Sequence, residues 1–269
     1  MLIKKSAEDS VIEGLANKSD TLVHPSRFEF LKEIKGIRPG MLTGLIGTTG
    51  SGKSTLLKSV IADTIETERC LVWLSEESLE EYQVKINRSV KDKNKLRNLF
   101  FLEENTLQDW VKNSHETFVN EFENIVVRSE CKVIFIDNIT SSFLYSEDIT
   151  IKEQGQTARF LQKLCKDLGI AIFYIAHTKK NINDTYSGLI TKEDIRGSAK
   201  IAIVTEYLFI LQKFSSGQKT YPIINIVKHR HHELSNPFFL VAFEDGIYKF
   251  DKTIPFELVR KIFNSRNVL

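Results

Sequence analysis

The stretch Met41-Leu-Thr-Gly-Leu-Ile-Gly-Thr-Thr-Gly-Ser-Gly-Lys-Ser-Thr55 contains the pattern G-x-x-x-x-G-K-[ST] between positions 47 and 54. Residues 42–46 form a short apolar run typical of a buried strand, and residues 55–62 carry helical periodicity. A strand, a Gly-rich loop and a helix in this order form a cradle for anions. Glycines let backbone N–H groups converge on phosphate oxygens, and the helix N-terminus adds positive potential. The stretch therefore predicts a nucleoside triphosphate site.

Each residue type in this loop has an expected role. Lys53 is expected to reach the β- and γ-phosphates, and the Ser54 hydroxyl is expected to bind Mg²⁺. ATP and Mg²⁺ are therefore the predicted cofactors. The residues predicted to surround the phosphates are Gly47, Thr48, Thr49, Gly50, Ser51, Gly52, Lys53, Ser54 and Thr55.

Composition limits the kinds of protein that this chain can be. Its 269 residues, 42% of them hydrophobic, can fill the core of one large α/β domain or two small ones. The net charge is only +2, so any nucleic-acid binding has to come from local clusters. The three cysteines lie far apart, the N-terminus lacks a signal-peptide core, and no apolar run is long enough to span a bilayer. We expect a soluble, cytoplasmic protein with no membrane partner.

The first 25 residues differ in character from the rest of the chain. They are polar and weakly amphipathic, with Val11, Ile12 and Leu15 as the apolar positions, which predicts an N-terminal arm with one short helix over residues 1–25. Asn17-Lys-Ser-Asp20 matches the guanine-reading motif N-K-x-D, but it precedes the phosphate loop and no D-x-x-G follows. We favour a solvated turn there. The catalytic domain is predicted over residues 26–269.

Apolar runs alternate with helical periodicity along that domain. Strands are predicted at 42–46, 70–74, 99–102, 132–137, 170–176, 207–212, 221–227, 238–243 and 247–250. Helices are predicted at 55–66, 79–90, 106–129, 151–168 and 256–263, with a short helix or turn at 28–37 and polar loops at 139–150 and 178–194. This order predicts an α/β fold with a mainly parallel, twisted sheet flanked by helices and with antiparallel strands at the C-terminal end.

Three side chains at strand ends are candidates for the chemistry of phosphate hydrolysis. Asp137 ends an apolar strand in the Walker B pattern and is predicted to hold the metal. Glu76 follows another strand, in the crevice where open α/β sheets bind ligands, and is predicted to activate the attacking water; Glu77 is its rival. His177 ends the strand after Asp137 and either contacts the γ-phosphate or is a satisfied core histidine.

A basic cluster, Val227-Lys-His-Arg-His-His-Glu233, lies near the C-terminal strands. If it continues a strand, alternation places Lys228, Arg230 and His232 on one face. A metal site made of the histidines is one interpretation, although no separated third ligand completes it. A solvated basic edge strand is another. Two cations on one face also suit phosphate recognition across a subunit boundary.

Six short motifs follow one another along the chain. They are the phosphate loop, Trp73-Leu-Ser-Glu-Glu-Ser-Leu-Glu-Glu81, Ile134-Phe-Ile-Asp-Asn138, Ala176-His-Thr-Lys-Lys180, Asp194-Ile-Arg-Gly-Ser198 and Val227-Lys-His-Arg230. In this order they resemble the motifs of hexameric DnaB-type replicative helicases, most closely the helicase half of phage primase-helicases. The resemblance covers about residues 28–250 and implies a RecA-like P-loop ATPase core.

The resemblance also implies roles for residues at matching positions. It implies Glu76 as the catalytic base, Asp137 as the acid on the Mg²⁺ side and His177 as a sensor of the γ-phosphate. Lys228 and Arg230 would be fingers that reach the ATP of a neighbouring subunit.

Further positions concern the nucleotide base and DNA. Phe243 falls where the family often stacks an aromatic ring on the base. Lys179 and Lys180 fall at the start of a loop that grips single-stranded DNA, and Lys192 adds a third cation to the segment 178–194. Cations beside a loop that follows the DNA backbone suit sequence-independent binding.

These features predict an ATP-dependent helicase or translocase on single-stranded DNA that forms a homo-oligomeric ring, expected to be a hexamer. A primase or a helicase loader is a further candidate partner. The chain departs from the family at Ala202-Ile203, where polar residues usually couple DNA to the nucleotide. Two alternatives therefore stay open: an accessory ATPase for recombination or helicase loading that binds DNA without processive unwinding, and a nucleotide-dependent regulatory switch.

Overall fold

The computed structural model describes residues 26–107, 115–145, 149–178, 190, 194, 200–216, 219–230 and 237–264. The predicted arm at 1–25, with Val11, Ile12 and Leu15, lies outside these residues, as do Lys179, Lys180 and Lys192.

The described residues form helices that flank a single nine-stranded sheet. The strands are β1 (Leu42–Gly47), β2 (Cys70–Leu74), β3 (Leu99–Glu103), β4 (Val133–Asp137), β5 (Ala171–His177), β6 (Tyr207–Ser216), β7 (Lys219–Lys228), β8 (Phe238–Glu244) and β9 (Ile247–Thr253). The helices are α1 (Glu29–Glu33), α2 (Lys53–Thr64), α3 (Leu79–Ser89), α4 (His115–Ser129), α5 (Ile151–Leu168), α6 (Lys200–Val204) and α7 (Phe256–Asn264). Short 3₁₀ helices occur at Lys93–Asn98 and Phe143–Tyr145.

The strand order is β3-β2-β4-β5-β1-β6-β7-β8-β9. The six strands from β3 to β6 are parallel, and β7, β8 and β9 continue the sheet in antiparallel fashion. The α/β fold that the sequence predicts is therefore confirmed. Strands β1, β2 and β4 are buried along their whole length, which is why they are continuous apolar runs and not alternating ones.

Helices cover both faces of the parallel strands. On one face, α1, α2 and α3 bury their apolar side chains against the sheet, and on the other face α4, α5 and α6 do the same. A third, smaller apolar cluster joins α7 to the antiparallel strands. This two-sided cover leaves the carboxyl edge of the sheet as the place where polar side chains can gather.

The order of the strands decides which chain segments meet at that edge. β2, β4, β5 and β1 are consecutive neighbours, so their carboxyl ends lie in a row. Leu74 pairs with Asp137, and Gly47 pairs with His177. The segments that carry Glu76, Asp137 and His177 are thus brought beside the phosphate loop.

Several predicted boundaries differ from the structure. The interval 139–150, predicted as a polar loop, contains a 3₁₀ turn and buried residues such as Ile139 and Leu144, because it packs back onto the sheet. Of the predicted helix at 106–129, residues 108–114 lie outside the described residues, and the structure describes α4 over His115–Ser129. β6 and β7 extend beyond the predicted strands, since antiparallel pairing continues past their apolar residues as far as Ser216 and Lys219.

A contact between distant parts of the chain holds α1 in place. The Asp251 carboxylate on β9 is 5% exposed and accepts hydrogen bonds from the backbone N–H groups of Glu29 at 2.6 Å and Phe30 at 2.9 Å. The residue before α1, Phe28, makes no side-chain cap, so Asp251 supplies this function from 221 residues away.

We predict that Asp251→Ala lowers the free energy of unfolding by about 2–4 kcal/mol, because one buried and one partly buried N–H group lose a charged acceptor. Chemical denaturation would measure the change. The control is Glu244→Ala, which removes an exposed carboxylate at the end of β8 and is expected to change stability by less than about 0.5 kcal/mol. Equal effects of the two substitutions would contradict the capping role.

Candidate ATPase site

The phosphate loop connects β1 to α2 at the carboxyl edge of the sheet. Gly50 and Gly52 have φ values of +77° and +96°, a backbone region that side chains disfavour. At Gly52 a side chain is excluded by space as well, since a Cβ atom would lie 2.4 Å from the hydroxyl oxygen of Tyr248. The loop therefore needs glycine for its shape, and Lys53 and Ser54 follow directly as the first residues of α2.

Lys53 is held in a nearly buried position at the start of α2. It is 4% exposed, and its ammonium group donates to the carbonyl of Thr48 at 2.8 Å. Burial lowers the pKa of Lys53 to about 8, while the charges of Asp137 and Glu76 oppose this change. A cation with so little hydration interacts strongly with an anion, which suits a phosphate ligand.

Ser54 and Asp137 meet between the loop and β4. The Ser54 hydroxyl donates to Asp137 Oδ1 at 2.9 Å. Asp137 Oδ2 is buried and has no hydrogen-bond partner among the described residues. Burial raises the pKa of Asp137 to about 6, and the nearby Lys58 charge opposes the rise.

These two residues fit a Mg²⁺ ion. Mg²⁺ prefers carboxylate and hydroxyl oxygens, and it usually keeps several waters when bound. The unpartnered Oδ2 is an acceptor that such an ion or its water would satisfy. The Ser54 oxygen keeps free lone pairs while its proton is donated to Asp137. The two side chains are therefore chemically compatible with Mg²⁺, and their role as metal ligands stays a prediction.

Glu76 follows β2 and turns towards β5. Its Oε1 atom is 3.1 Å from His177 Nε2 and accepts a short hydrogen bond from the Ser141 hydroxyl. The hydrogen bond with His177 is the main cause that lowers the pKa of Glu76 to about 2, although burial acts in the opposite direction. Glu76 is consequently ionised at neutral pH.

His177 lies between the phosphate loop and Glu76. Its Nδ1 atom is 3.2 Å from the Lys53 ammonium group, and its Nε2 atom faces both Glu76 and the Asn138 amide at 2.9 Å. Because an ammonium group can only donate, Nδ1 is the acceptor and the proton is on Nε2, towards Glu76. With the proton on Nε2, this nitrogen donates to Glu76 and cannot also accept from the Asn138 amide nitrogen, because the Asn138 oxygen is bound by Thr140 and the backbone N–H of Ser141. His177 thus lies beside the phosphate loop with protein partners on both ring nitrogens, and its contact with a γ-phosphate stays a prediction.

Glu76 and its neighbour Glu77 have different hydrogen-bond partners in the structure. One Glu77 oxygen accepts from Lys58 at 2.6 Å, and the other accepts a short hydrogen bond from Lys85. Glu77 is thus occupied by two cations, whereas Glu76 contacts His177 beside Lys53. The geometry favours Glu76 as the general base.

Glu104 and Ser141 belong to the site and were missed in the sequence. The Glu104 carboxylate follows β3 and accepts from Trp73 Nε1 at 2.6 Å and from the backbone N–H of Phe143 at 2.5 Å. It therefore secures the segment 139–143, which carries the Ser141 hydroxyl that binds Glu76. The position of Glu104 just after a predicted strand was the available signal for its place at this edge.

A cleft of about 650 Å³ opens beside the phosphate loop. It lies where β7 and β8 separate, beyond their last described pair, Ile223 with Leu240. Tyr248 and Lys213 line it and also approach the loop, with contacts to the carbonyls of Ser51 at 3.5 Å and Gly50 at 3.1 Å.

Phe243 lies in the same cleft. Its ring is 53% exposed, and its centroid is 5.1 Å from that of Tyr248. An exposed aromatic ring next to a phosphate loop is placed to stack on a nucleotide base. The prediction that Phe243 serves the base is therefore compatible with its location.

Lys228 and Arg230 lie beside α6 and not beside the phosphate loop of their own chain. β7 ends at Lys228, so Arg230 is not part of the strand, contrary to the expected alternation. Lys228 nevertheless donates to the carbonyls of Ala202 at 2.5 Å and Ile203 at 2.8 Å, and Arg230 makes a short bond to Ile203 as well. Both cations thus bind the C-terminal end of α6, where unpaired carbonyls attract positive charge.

The alternative of a histidine metal site stays a prediction, because two of its three histidines are not among the described residues. Residues 231–236 lie outside the described ranges. Within those ranges, no group of three or more His, Cys, Asp or Glu side chains is arranged to hold a metal ion.

A family model described as an AAA domain matches residues 27–183, more than half of the 269-residue chain. The chain belongs to the AAA-domain family. The match includes the phosphate loop, Glu76, Asp137 and His177, so this AAA domain is a P-loop ATPase domain with a RecA-like sheet. Phe243, Lys228 and Arg230 lie beyond the matched residues.

A search of curated proteins found no match to the chain. Across the described part of the chain, no helix has the length and apolar character needed to cross a membrane.

We predict that Glu76→Gln lowers kcat for ATP hydrolysis by about 10²–10⁴, as expected for a lost general base, while ATP still binds. Glu77→Gln is expected to keep kcat within about tenfold of wild type, because Glu77 binds lysines and not the reacting groups. Steady-state phosphate release and equilibrium ATP titration would measure both. A larger loss from Glu77→Gln than from Glu76→Gln would show that the base is Glu77.

Proposed function

We propose that this AAA-domain protein hydrolyses ATP in a homo-oligomeric ring and uses the energy to move along single-stranded DNA. The observation that carries the catalytic part is the series of contacts from Lys53 through His177 to the ionised Glu76. At one edge of the sheet, this series supplies a cation that can bind phosphate (Lys53), a base (Glu76) and a side chain that contacts both (His177).

In this proposal each residue has one task in ATP hydrolysis. Lys53 and the loop N–H groups bind the phosphates, and Ser54 and Asp137 hold Mg²⁺, whose charge neutralises phosphate oxygens when it is bound. Glu76 orients the attacking water and takes its proton. His177, which contacts both Lys53 and Glu76, is placed to respond to the γ-phosphate. The cleft beside Phe243 receives the base.

The register of the sheet supports the ring. Lys228 on β7 pairs with Leu208 on β6, and Leu208 pairs with Gly44 on β1, three residues before Gly47. Measured along the strands, Lys228 therefore lies roughly 10 Å from the phosphate loop. Measured across the sheet, it lies two strands away, which adds roughly 10 Å in the perpendicular direction. A lysine cannot reach the phosphates of its own subunit from there, so a finger role for Lys228 and Arg230 requires a second copy of the chain.

The case for single-stranded DNA rests on the motif order and on Lys179, Lys180 and Lys192. One observation favours the accessory ATPase instead. Ile203, at a position where polar coupling residues are expected, is 63% exposed, and its carbonyl binds Lys228 and Arg230. An apolar side chain there offers no hydrogen bond to DNA, which suits a DNA-binding ATPase without processive unwinding. A primase or a loader as partner is part of the helicase proposal alone.

We predict that single-stranded DNA stimulates the ATPase and that Lys179→Ala/Lys180→Ala weakens DNA binding while basal ATPase activity persists. Each lost phosphate contact should reduce the slope of log affinity against log salt by about 0.7. Fluorescence anisotropy at several salt concentrations would measure the slope. The matched control is Lys163→Ala/Lys166→Ala on α5, which removes the same charge elsewhere. An unchanged slope would place the DNA path away from 179–180, and a lack of DNA binding would leave the switch as the better function.

We predict that the active site forms only between subunits. Specific ATPase activity should rise with protein concentration until the rings are complete, and sizing by light scattering should show the same midpoint. Arg230→Ala and Lys53→Ala should each be inactive alone, yet a mixture should recover part of the activity. The reason is that some interfaces then combine an intact phosphate loop with an intact finger. Mixing Lys53→Ala with Glu76→Ala is the control. Both changes damage the part of the active site that one subunit supplies, so an intact finger from the neighbouring subunit cannot restore activity. A fully active monomer would contradict the ring.

A further inference from the structure

Lys58 is a nearly buried lysine one turn after Ser54 on α2. It is 4% exposed, and its ammonium nitrogen lies 2.6 Å from Glu77 Oε2. The same nitrogen lies 4.0 Å from Asp137 Oδ2 and 3.9 Å from the centre of the Tyr82 ring. A charge so poorly hydrated is costly unless its partners are close and fixed, so its position is well defined.

The spacing of Ser54 and Lys58 brings two different groups of α2 to one carboxylate. Residues four apart lie on the same helix face. Ser54 donates to Asp137 Oδ1, and Lys58 is the cation next to Oδ2. Since Oδ2 has no hydrogen-bond partner among the described residues, Lys58 neutralises its charge without occupying it. That oxygen therefore keeps its lone pairs for a water or a metal ion.

Lys58 also acts on the turn that carries the base. By holding Glu77 at 2.6 Å, it fixes the backbone next to Glu76. Lys85 binds the other oxygen of Glu77, but it is 52% exposed and belongs to α3, beyond the turn. Of these two lysines, Lys58 alone connects the helix of the phosphate loop to both carboxylate-bearing strand ends.

We propose that Lys58 is a positioning residue for ATP hydrolysis, holding Asp137 and the Glu76–Glu77 turn in register with the phosphate loop. It acts through these residues and touches neither the nucleotide nor the attacking water. The proposal rests on the ATPase activity proposed above, and it extends that activity to a residue outside the phosphate-loop pattern.

The test compares Lys58→Met with Lys58→Arg and with Lys85→Met as the matched control. Lys58→Met keeps the volume but loses the charge, and we expect kcat to fall by about 10–100-fold, since small misplacements of reacting groups have effects of that size. KM and the equilibrium affinity for ATP should stay within about threefold of wild type, because the phosphate loop itself is intact. Lys58→Arg should recover most of kcat, and Lys85→Met should resemble wild type.

A double variant separates positioning from mere stability. Lys58→Met leaves Glu77 without its buried partner and is expected to lower the unfolding temperature, whereas Lys58→Met/Glu77→Gln removes both charges and should restore it. If Lys58 positions Asp137 as well, kcat of the double variant stays about tenfold or more below that of Glu77→Gln. This comparison holds even if Lys58→Met does not fold.

Three outcomes would overturn the proposal. They are wild-type kcat in Lys58→Met, a double variant that matches Glu77→Gln, and a loss of ATP affinity equal to the loss of kcat. The last would mean that Lys58 serves binding. An inactive wild-type protein would instead reject the ATPase proposal, so the two failures are distinguishable.

Discussion

Three charged side chains, Lys53, Lys58 and Asp137, are each only 4% exposed, and the low hydration of these charges constrains the whole site. A charge removed from water is stable only when its partners are held close by. Lys53 needs Thr48 and His177, and Asp137 needs Ser54 and Lys58. These contacts join the phosphate loop to β4 and β5, so the geometry of the nucleotide site follows from how its charges are paired.

The same constraint gives adjacent carboxylates different roles. Glu77 is neutralised by two lysines and becomes part of the framework, while Glu76 contacts His177 and Ser141 and stays ionised. The segment 139–143 that positions Ser141 is itself held by Glu104, which directly follows β3. The catalytic edge is therefore a network across β2, β3, β4 and β5, in which each strand contributes a polar side chain at its carboxyl end.

The antiparallel half of the sheet forms features that the parallel half lacks. Because β7 and β8 pair over only three described residue pairs, they separate near the phosphate loop and leave the cleft that Phe243 and Tyr248 line. The opposite end of β7 carries Lys228, towards the edge of the sheet away from the phosphate loop. One extension of the sheet thus lines the cleft near the phosphate loop at one end and, at the other end, carries Lys228, which binds the C-terminal end of α6.

The sequence by itself determined the fold class, the phosphate loop and the strand ends that carry Glu76, Asp137 and His177, because Gly spacing and apolar runs are local signals. Only the tertiary structure placed Glu76 against His177 and Glu77 against Lys58 and Lys85, showed that 139–145 packs inward, and brought Lys58 and Glu104 into the site. Those features depend on strand order and on contacts between residues distant in the chain. Local periodicity cannot specify such contacts, since it records which face of an element is buried but not what it is buried against.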